Sequence, residues 1–563
     1  MQNPLPKGFT RQDVPAIVLV LITLVMTSLL FGFFMVPYSL QVNFDEGCEA
    51  AAVERVISGR WLPYVDASAI RGPFLYWTQA VVHVLTGRFE YTGTRVLALL
   101  CALVVVVTTF LTGWGAGWPL AGAIGGAAYL FVIGTVYLPG GGMGVVGESV
   151  AIAYLTTAFC LVAYGLYRAR SERARITFLA LGGFFVGIAG LTKQTMAGAC
   201  VPLFLWIFAR SIGERLESAS SGSVRYAPWT TIVMRRLLPF GAGGLALVAL
   251  VLLRYAAAGE FKTFVFWSTT FGAKVYMQPF EGRVTELMSQ WFFGEPWAIF
   301  GVALALTVAL GRPFAAIKAP SLAAVRLGLP DSAFELTVGL MAVTSLASAA
   351  LPLRIWPHYF MPVYPFFGLV VGTLVERLLR RGGGVPWFAQ SAAVVVLGGS
   401  LIASATTRLH SLRQERARGS WGNPRPDPVC TEIDRIAGPG RDPIFVWGTA
   451  GDLYITCQRP SVTMFTSTMI IAGIVPPSWT PEPSRVAPGI HDILLRELST
   501  HPPPVLLDHP MSPGASMMDF GFLSNFVKQR YCRLGKVTDK RGVLLTFYAR
   551  KDLQACQTAK AEN

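Results

Sequence analysis

Residues 14–36 read VPAIVLVLITLVMTSLLFGFFMV, and residues 43–76 read NFDEGCEAAAVERVISGRWLPYVDASAIRGPFLY. The first stretch is an uncharged apolar run long enough to cross a bilayer as one helix. The second gathers Asp45, Glu46, Glu49, Glu54 and Asp66 in a chain with only 32 acidic residues among 563. Acids set against a bilayer are costly unless they are paired or used. The expectation is therefore a membrane-embedded enzyme whose first loop carries a catalytic carboxylate. Lys7 and Arg11 precede the apolar run. The run is too long for a signal peptide and lacks a small-residue cleavage site, so it reads as an uncleaved first helix with a cytoplasmic N-terminus.

Composition extends the reading to the whole chain. Hydrophobic residues make up 53% and charged residues 14%, whereas soluble domains carry about a quarter charged residues. The net charge of +15 comes from arginines clustered between apolar runs, as in cytoplasmic loops of membrane proteins. No basic stripe with interleaved aromatics is present, which excludes nucleic acid as a partner.

Apolar runs give roughly eleven spans: 14–36, 95–113, 118–138, 148–167, 176–192, 196–210, 237–253, 294–311, 334–351, 359–376 and 387–405. With the N-terminus inside, the inner loops 168–175 (RARSERAR), 211–236, 312–333 and 377–386 (RLLRRGGGVP) are arginine-rich. The acids fall in the outer loop 37–94 and the turn 140–149. The segment 73–87 is too short to span and reads as an interfacial helix; 255–292 reads as a second amphipathic region. The fold class is thus a polytopic α-helical membrane protein with a C-terminal soluble α/β domain. Residues 1–405 form the membrane module, with the outer catalytic loop at 37–94, and residues 406–563 an extracytoplasmic tail. Strand-like runs lie at 443–447, 505–507 and 542–548 of that tail. Its cysteines Cys430, Cys457, Cys532 and Cys556 suit two disulfides in an oxidising compartment, or four buried thiols. No CxxC pair suggests zinc.

No GxSxG, HExxH or GxxxxGK[ST] motif occurs. What remains is a set of carboxylates and a few cations on one membrane face. That set suits transfer of a group from an anionic leaving group: a carboxylate deprotonates the acceptor hydroxyl, and cations hold the departing phosphate.

Asp45 is the candidate base. It also begins a helix, where Asn43 and Glu46 suit a capping box; the two roles are compatible. Asp66 is either a second site carboxylate or a turn former paired with Arg71. Glu148 either joins the site or caps a helix at the outer mouth of its span. Lys193, at an outer turn, either binds phosphate or snorkels to headgroups. His358, beside Arg354 and Tyr359, either lines the site or anchors a helix at the interface. Topology places all of these on the outer face, where a lipid phosphate would meet Lys193, Arg354 and His358.

Four stretches together resemble the GT-C superfamily of polyprenyl-phosphate-sugar-dependent glycosyltransferases, in the protein O-mannosyltransferase and aminoarabinose transferase-like branch. FDEGCEAAAVERVISGRWLPYVD (44–66) resembles that family's first outer loop, and RGPFLYW (71–77) its continuation into a juxtamembrane helix. GLTKQT (190–195) resembles its lysine turn, and WPHYFMPVYPFFGL (356–369) the His-Tyr-x-x-Pro start of a late helix. The resemblance reaches to about residue 380. It implies an inverting displacement at the anomeric carbon with polyprenyl phosphate leaving. Asp45 would be the base, Glu46 an acceptor-binding group, and Asp66 the second acidic position. Lys193 and His358 would lie near the donor phosphate, with Tyr359 beside them. The sequence leaves metal dependence open: two or three carboxylates, Asp45 and Asp66 among them, are the donor type for a divalent cation. Two departures stand out. Arg71-Gly72-Pro73 replaces the family's adjacent prolines, and the tail does not match the sugar-binding repeats of eukaryotic protein O-mannosyltransferases. IFVWGTAGDLYITCQRP (444–460) resembles tails of bacterial members with lipid or glycan acceptors.

The expected protein is a bacterial inner-membrane glycosyltransferase. It would act on a lipid, glycan or protein acceptor with a polyprenyl-phosphate-linked donor among membrane lipids. The alternative, a transporter or flippase for a lipid-linked sugar, would show inverted repeats or broken helices; the sequence shows neither.

Overall fold

The computed structural model describes residues 13–35, 44–68, 71–86, 91–133, 147–220, 229–272, 322–351, 357–381, 387–417, 427–474, 480–510, 512, 514–539, 542 and 544–561. Eight described helices are long and apolar enough to cross a membrane. They include α1 (Val14–Met35), α4 (Tyr91–Gly115), α6 (Gly147–Tyr167), α7 (Glu172–Thr192) and α8 (Cys200–Ser220). The other three lie at Trp229–Ala257, within Leu322–Ala350 and within Trp387–Ala417. The shorter α5 (Pro119–Val132) and the helix Val363–Arg381 coincide with two more expected spans. The span expected at 294–311 lies outside the described residues, as does Arg354. A bilayer offers backbone groups no partners, so each run closes its hydrogen bonds within its own helix.

Small residues let these helices approach. A β-carbon at Gly183 would collide with the carbonyl of Phe240, and one at Gly243 with that of Ala180. This is the way helices pack where no hydrophobic force drives them together. The same device joins α5 to Val363–Arg381, where a β-carbon at Gly372 would lie 2.5 Å from Ala121 Cα.

Between α1 and α4 lie two helices that do not span. These are α2 (Phe44–Ser58), with Asp45 and Glu46 in its first turn, and α3 (Pro73–Thr86), at the position expected of the interfacial helix. Acids in a first helical turn face the positive end of the helix dipole. The loop between them holds two non-glycine residues in the left-handed region, Trp61 (φ 59°) and Tyr64 (φ 72°). Such strain persists only where surroundings over-determine it. Here the Trp77 indole donates to the Trp61 carbonyl (3.0 Å), and the Tyr255 hydroxyl to the Pro63 carbonyl (2.6 Å).

Trp387–Ala417 continues through residue 405, so the expected domain boundary falls inside a helix. The tail's first described element is the helix Pro428–Ala437. The tail holds a four-stranded sheet of order β1 (Phe445–Trp447), β2 (Val505–Asp508), β4 (Leu544–Arg550), β3 (Tyr531–Thr538). β1 and β2 are parallel, with Phe445 opposite Leu506; β4 is antiparallel to both β2 and β3. The tail cysteines form the disulfides Cys430–Cys457 and Cys532–Cys556. One continuous buried cluster includes Ala67 and Tyr76 of the first loop together with Trp447, Met464 and Phe465 of the tail.

Candidate active site

The site is built where α2, α6 and the turn after α7 meet the loop that leads into α3. Asp45 and Glu49 are four residues apart on α2, so they share one face of that helix. Gly72 brings Arg71 to them. Its N–H donates to the Thr192 carbonyl at 3.0 Å, and a β-carbon there would strike the carbonyl of Leu191. Gly147 clears the path of the side chain, since a β-carbon there would lie 2.7 Å from Arg71 Cδ. The Tyr64 hydroxyl holds the Arg71 carbonyl at 2.8 Å.

Each nitrogen of the Arg71 guanidinium then has its own carboxylate. Nε donates to Glu49 (2.7 Å), Nη2 to Asp45 (3.1 Å) and Nη1 to Glu148 (3.3 Å). Glu148, in the first turn of α6, also accepts from Lys193. Lys193 caps the C-terminal end of α7, and its ammonium lies 4.0 Å from the centre of the Tyr359 ring, a cation–π contact. His358 Nε2 is 3.9 Å from Asp45 Oδ2 and 4.0 Å from Glu148 Oε1, and its ring meets Tyr359 edge-on. The three carboxylates differ in access: the side chain of Asp45 is 29% exposed, that of Glu49 7% and that of Glu148 0%.

Electrostatics follow from that packing. Burial pushes the Glu49 carboxyl up to about 8, although the Arg71 cation opposes the shift. Burial works against the Arg71 cation, yet Glu148, Glu49 and Asp45 outweigh it and hold Arg71 charged. Burial lowers Lys193, against the pull of Glu148. It also lowers His358, which favours the neutral ring at neutral pH. Arg71 and Lys193 supply two formal positive charges against three carboxylates, and one proton on Glu49 brings the counts level.

The structure thus gathers Asp45, Arg71, Glu148, Lys193, His358 and Tyr359. Two expected residues are not in this cluster. Glu46 points to another face of α2 and forms a sealed ion pair with Arg95 of α4 at 3.3 Å, with side chains 1% and 9% exposed. An acceptor-binding role does not suit a carboxylate so enclosed. Asp66 holds its own turn: one carboxylate oxygen accepts from the backbone N–H groups of Leu62 (2.7 Å) and Arg60 (3.0 Å). Its cationic neighbour is Arg60, at 4.0 Å, rather than Arg71. Of the two carboxylates named for a divalent cation, Asp66 faces its own amides and Asp45 faces a guanidinium. Among the described residues, no group of three His, Cys, Asp or Glu is arranged to hold a metal ion.

Two site residues escaped the sequence reading. Glu49 was legible in principle from its i, i+4 spacing to Asp45. Gln79 of α3, whose amide donates to the second Glu49 oxygen at 3.3 Å, carries no local signal.

No protein-family model and no curated protein sequence matches the chain. Among solved structures it is similar to the Archaeoglobus fulgidus oligosaccharyltransferase tethered with an acceptor peptide, at 11% identity and TM-score 0.47, over 94% of this chain and 74% of that one. It is similar to ArnT from Cupriavidus metallidurans bound to undecaprenyl phosphate, at 15% identity and TM-score 0.46, over 95% and 97% of the two chains. A third is AglB from Archaeoglobus fulgidus in complex with an inhibitory peptide and a dolichol-phosphate, at 11% identity and TM-score 0.45, over 95% and 74%.

Proposed function

We propose that the chain is an integral membrane glycosyltransferase that moves a sugar from a polyprenyl-phosphate donor to an acceptor hydroxyl, with inversion. One observation carries this reading: of the three carboxylates around Arg71, only Asp45 keeps substantial access to the outside of the cluster. A general base must reach the proton it removes. Asp45 takes the proton of the acceptor hydroxyl, and the freed oxygen attacks the anomeric carbon. The bond from that carbon to the phosphate oxygen breaks, and the lipid phosphate leaves with the electron pair.

The cations suited to that phosphate are Arg71 and Lys193, with His358 beside them. In the resting site they face Asp45 and Glu148. An entering phosphate competes for both cations and loosens Arg71 from Asp45, which frees a carboxylate oxygen of Asp45 to take the acceptor proton. The donor class is the one that the four motifs imply. The acceptor is a lipid, glycan or protein hydroxyl. We place the site on the outer leaflet of a bacterial inner membrane, with the N-terminus cytoplasmic. The arginine-rich inner loops support this orientation. The two tail disulfides suit an oxidising compartment. The tail lies on the site's face, since Thr466 donates to the Cys48 carbonyl of α2 at 3.0 Å.

The test is transfer from a radiolabelled polyprenyl-phosphate hexose or pentose by the full chain in proteoliposomes, with envelope extract as acceptor pool. Asp45→Asn should abolish transfer and leave insertion intact; wild-type turnover in that variant would remove Asp45 as the base. Mass spectrometry of envelope glycans and lipids from a deletion strain would identify sugar and acceptor.

A further inference from the structure

We infer that the tail segment 448–466, anchored by the Cys430–Cys457 disulfide, is a positioning element for the helix that carries Asp45. The inference rests on the reading of Asp45 as the base. It starts from the two faces of α2. One face, with Asp45 and Glu49, meets Arg71. The other, with Gly47, Cys48, Ala51 and Arg55, meets the tail.

That second contact is close and polar as well as apolar. A β-carbon at Gly47 would lie 2.6 Å from Asp452 Cβ and 2.7 Å from Asp452 Cα. One at Gly451 would lie 2.6 Å from Cys48 Sγ. Thr466 donates to the Cys48 carbonyl (3.0 Å), and Arg55 donates to the Ser461 carbonyl (3.2 Å). Ala51 belongs to the tail's own core, with Val429, Ile433 and Leu453. The Tyr91 hydroxyl of α4 donates to the Asp452 carbonyl at 3.1 Å, so the same tail residue is gripped from the membrane module.

Asp452 opens the short helix Leu453–Thr456, and Cys457 ends it. The disulfide fastens that end to Cys430 in the helix Pro428–Ala437. Buried Arg459 reinforces the joint through Asp434 at 2.6 Å. A helix of one α2's length moves as a body. A displacement forced at Gly47 therefore reaches Asp45, two residues away, and alters its 3.1 Å contact with Arg71. The other disulfide provides an internal control. Cys532–Cys556 ties β3, at the sheet edge opposite β1, to the C-terminal helix.

The experiment compares four variants of the full chain in proteoliposomes, with the donor and extract named above: Gly47→Ala, Thr466→Val, Cys430→Ser/Cys457→Ser and Cys532→Ser/Cys556→Ser. The readouts are kcat, donor KM and the acid limb of the pH profile. Alanine is a better helix former than glycine, so a loss in Gly47→Ala reports displacement rather than a weakened helix. Gly47→Ala and the Cys430/Cys457 variant should lose about tenfold or more in kcat, as small misplacements of reacting groups do. Their donor KM should stay unchanged and their acid limb should move. Thr466→Val should show the same pattern, more weakly, and keeps the test decisive if a stronger variant fails to insert. The Cys532/Cys556 variant should keep kcat and pH profile. Equal losses in both disulfide variants, or wild-type kcat and profile in both Gly47→Ala and Thr466→Val, would overturn the inference. If Asp45→Asn is inactive while these variants are normal, only the positioning role fails. If Asp45→Asn is active, the reading of the site itself fails.

Discussion

Asp45 and Glu46 are adjacent in the chain and stand in opposite kinds of surroundings. Asp45 joins a cluster open to one side, where Arg71 is shared among three carboxylates. Glu46 forms a closed ion pair with Arg95, with both side chains nearly inaccessible. Successive residues of a helix point about 100° apart, so neighbouring acids on α2 enter different compartments. A buried ion pair sealed from solvent is a fixed structural element. A cation with more carboxylates than it can neutralise is a site that can exchange partners and take up a proton. The same contrast separates Asp66, whose carboxylate closes its own turn, from Glu148, which bridges Arg71 and Lys193.

Substitutions sharpen this contrast. The largest effect on turnover is expected from Asp45→Asn, which removes the base and should lower kcat by about 10²–10⁴-fold, the usual worth of a general base. Arg71→Ala removes the cation that three carboxylates share and leaves Glu148 with Lys193 and Glu49 with Gln79. Breaking a buried ionic group costs about 3–5 kcal/mol, so denaturant unfolding should show a large loss of stability along with lost transfer. Glu46→Ala removes the buried Arg95–Glu46 contact and should also lower stability, by up to about 3 kcal/mol. The difference between the two regions would appear in the folded fraction: its kcat should match the wild type for Glu46→Ala and not for Arg71→Ala. Asp66→Ala leaves the buried Leu62 amide and the part-buried Arg60 amide without their acceptor and should cost about 1–3 kcal/mol, with kcat retained.

Glu49 gives the smallest effect and a sign that can be checked. Its carboxyl is raised from 4.5 to about 8, so the folded state binds a proton that the unfolded chain has released over that window. Stability from this group is greatest below about 4.5 and falls as pH rises through about 8. Glu49→Gln mimics the protonated acid. It should turn over like the wild type at neutral pH and flatten the decline of stability between these limits, measured by denaturant unfolding across pH.

The membrane helices were legible because a bilayer demands one simple pattern, a long apolar run, and ten of the eleven expected spans fall on described helices. The tail was legible in part. β1 and β2 are buried, and β4 is buried at Leu545 and Phe547–Ala549, all rich in apolar residues, whereas β3, with Arg533 and Lys536 exposed on its edge, lacks that pattern. Lys193 and His358 stand out in the sequence as polar residues at the ends of apolar segments, and the structure brings both to Glu148. The sequence leaves Asp66 open between site carboxylate and turn former, and the structure places it on the amides of its own turn, while Glu46 lies against Arg95. The partners that decide their roles, Arg95 on α4 and the amides of a strained turn, are set by tertiary packing. Gln79 was illegible for the same reason, since its role depends on the crossing of α2 and α3.

The most direct measurement is sugar transfer in proteoliposomes by Asp45→Asn and Glu46→Gln side by side, each normalised to correctly inserted, folded protein. The expected result is no transfer from Asp45→Asn and near wild-type transfer from Glu46→Gln. Substantial transfer from Asp45→Asn, or loss from folded Glu46→Gln to the same degree, would contradict the assignment of Asp45 as the base and of Glu46 as its structural neighbour.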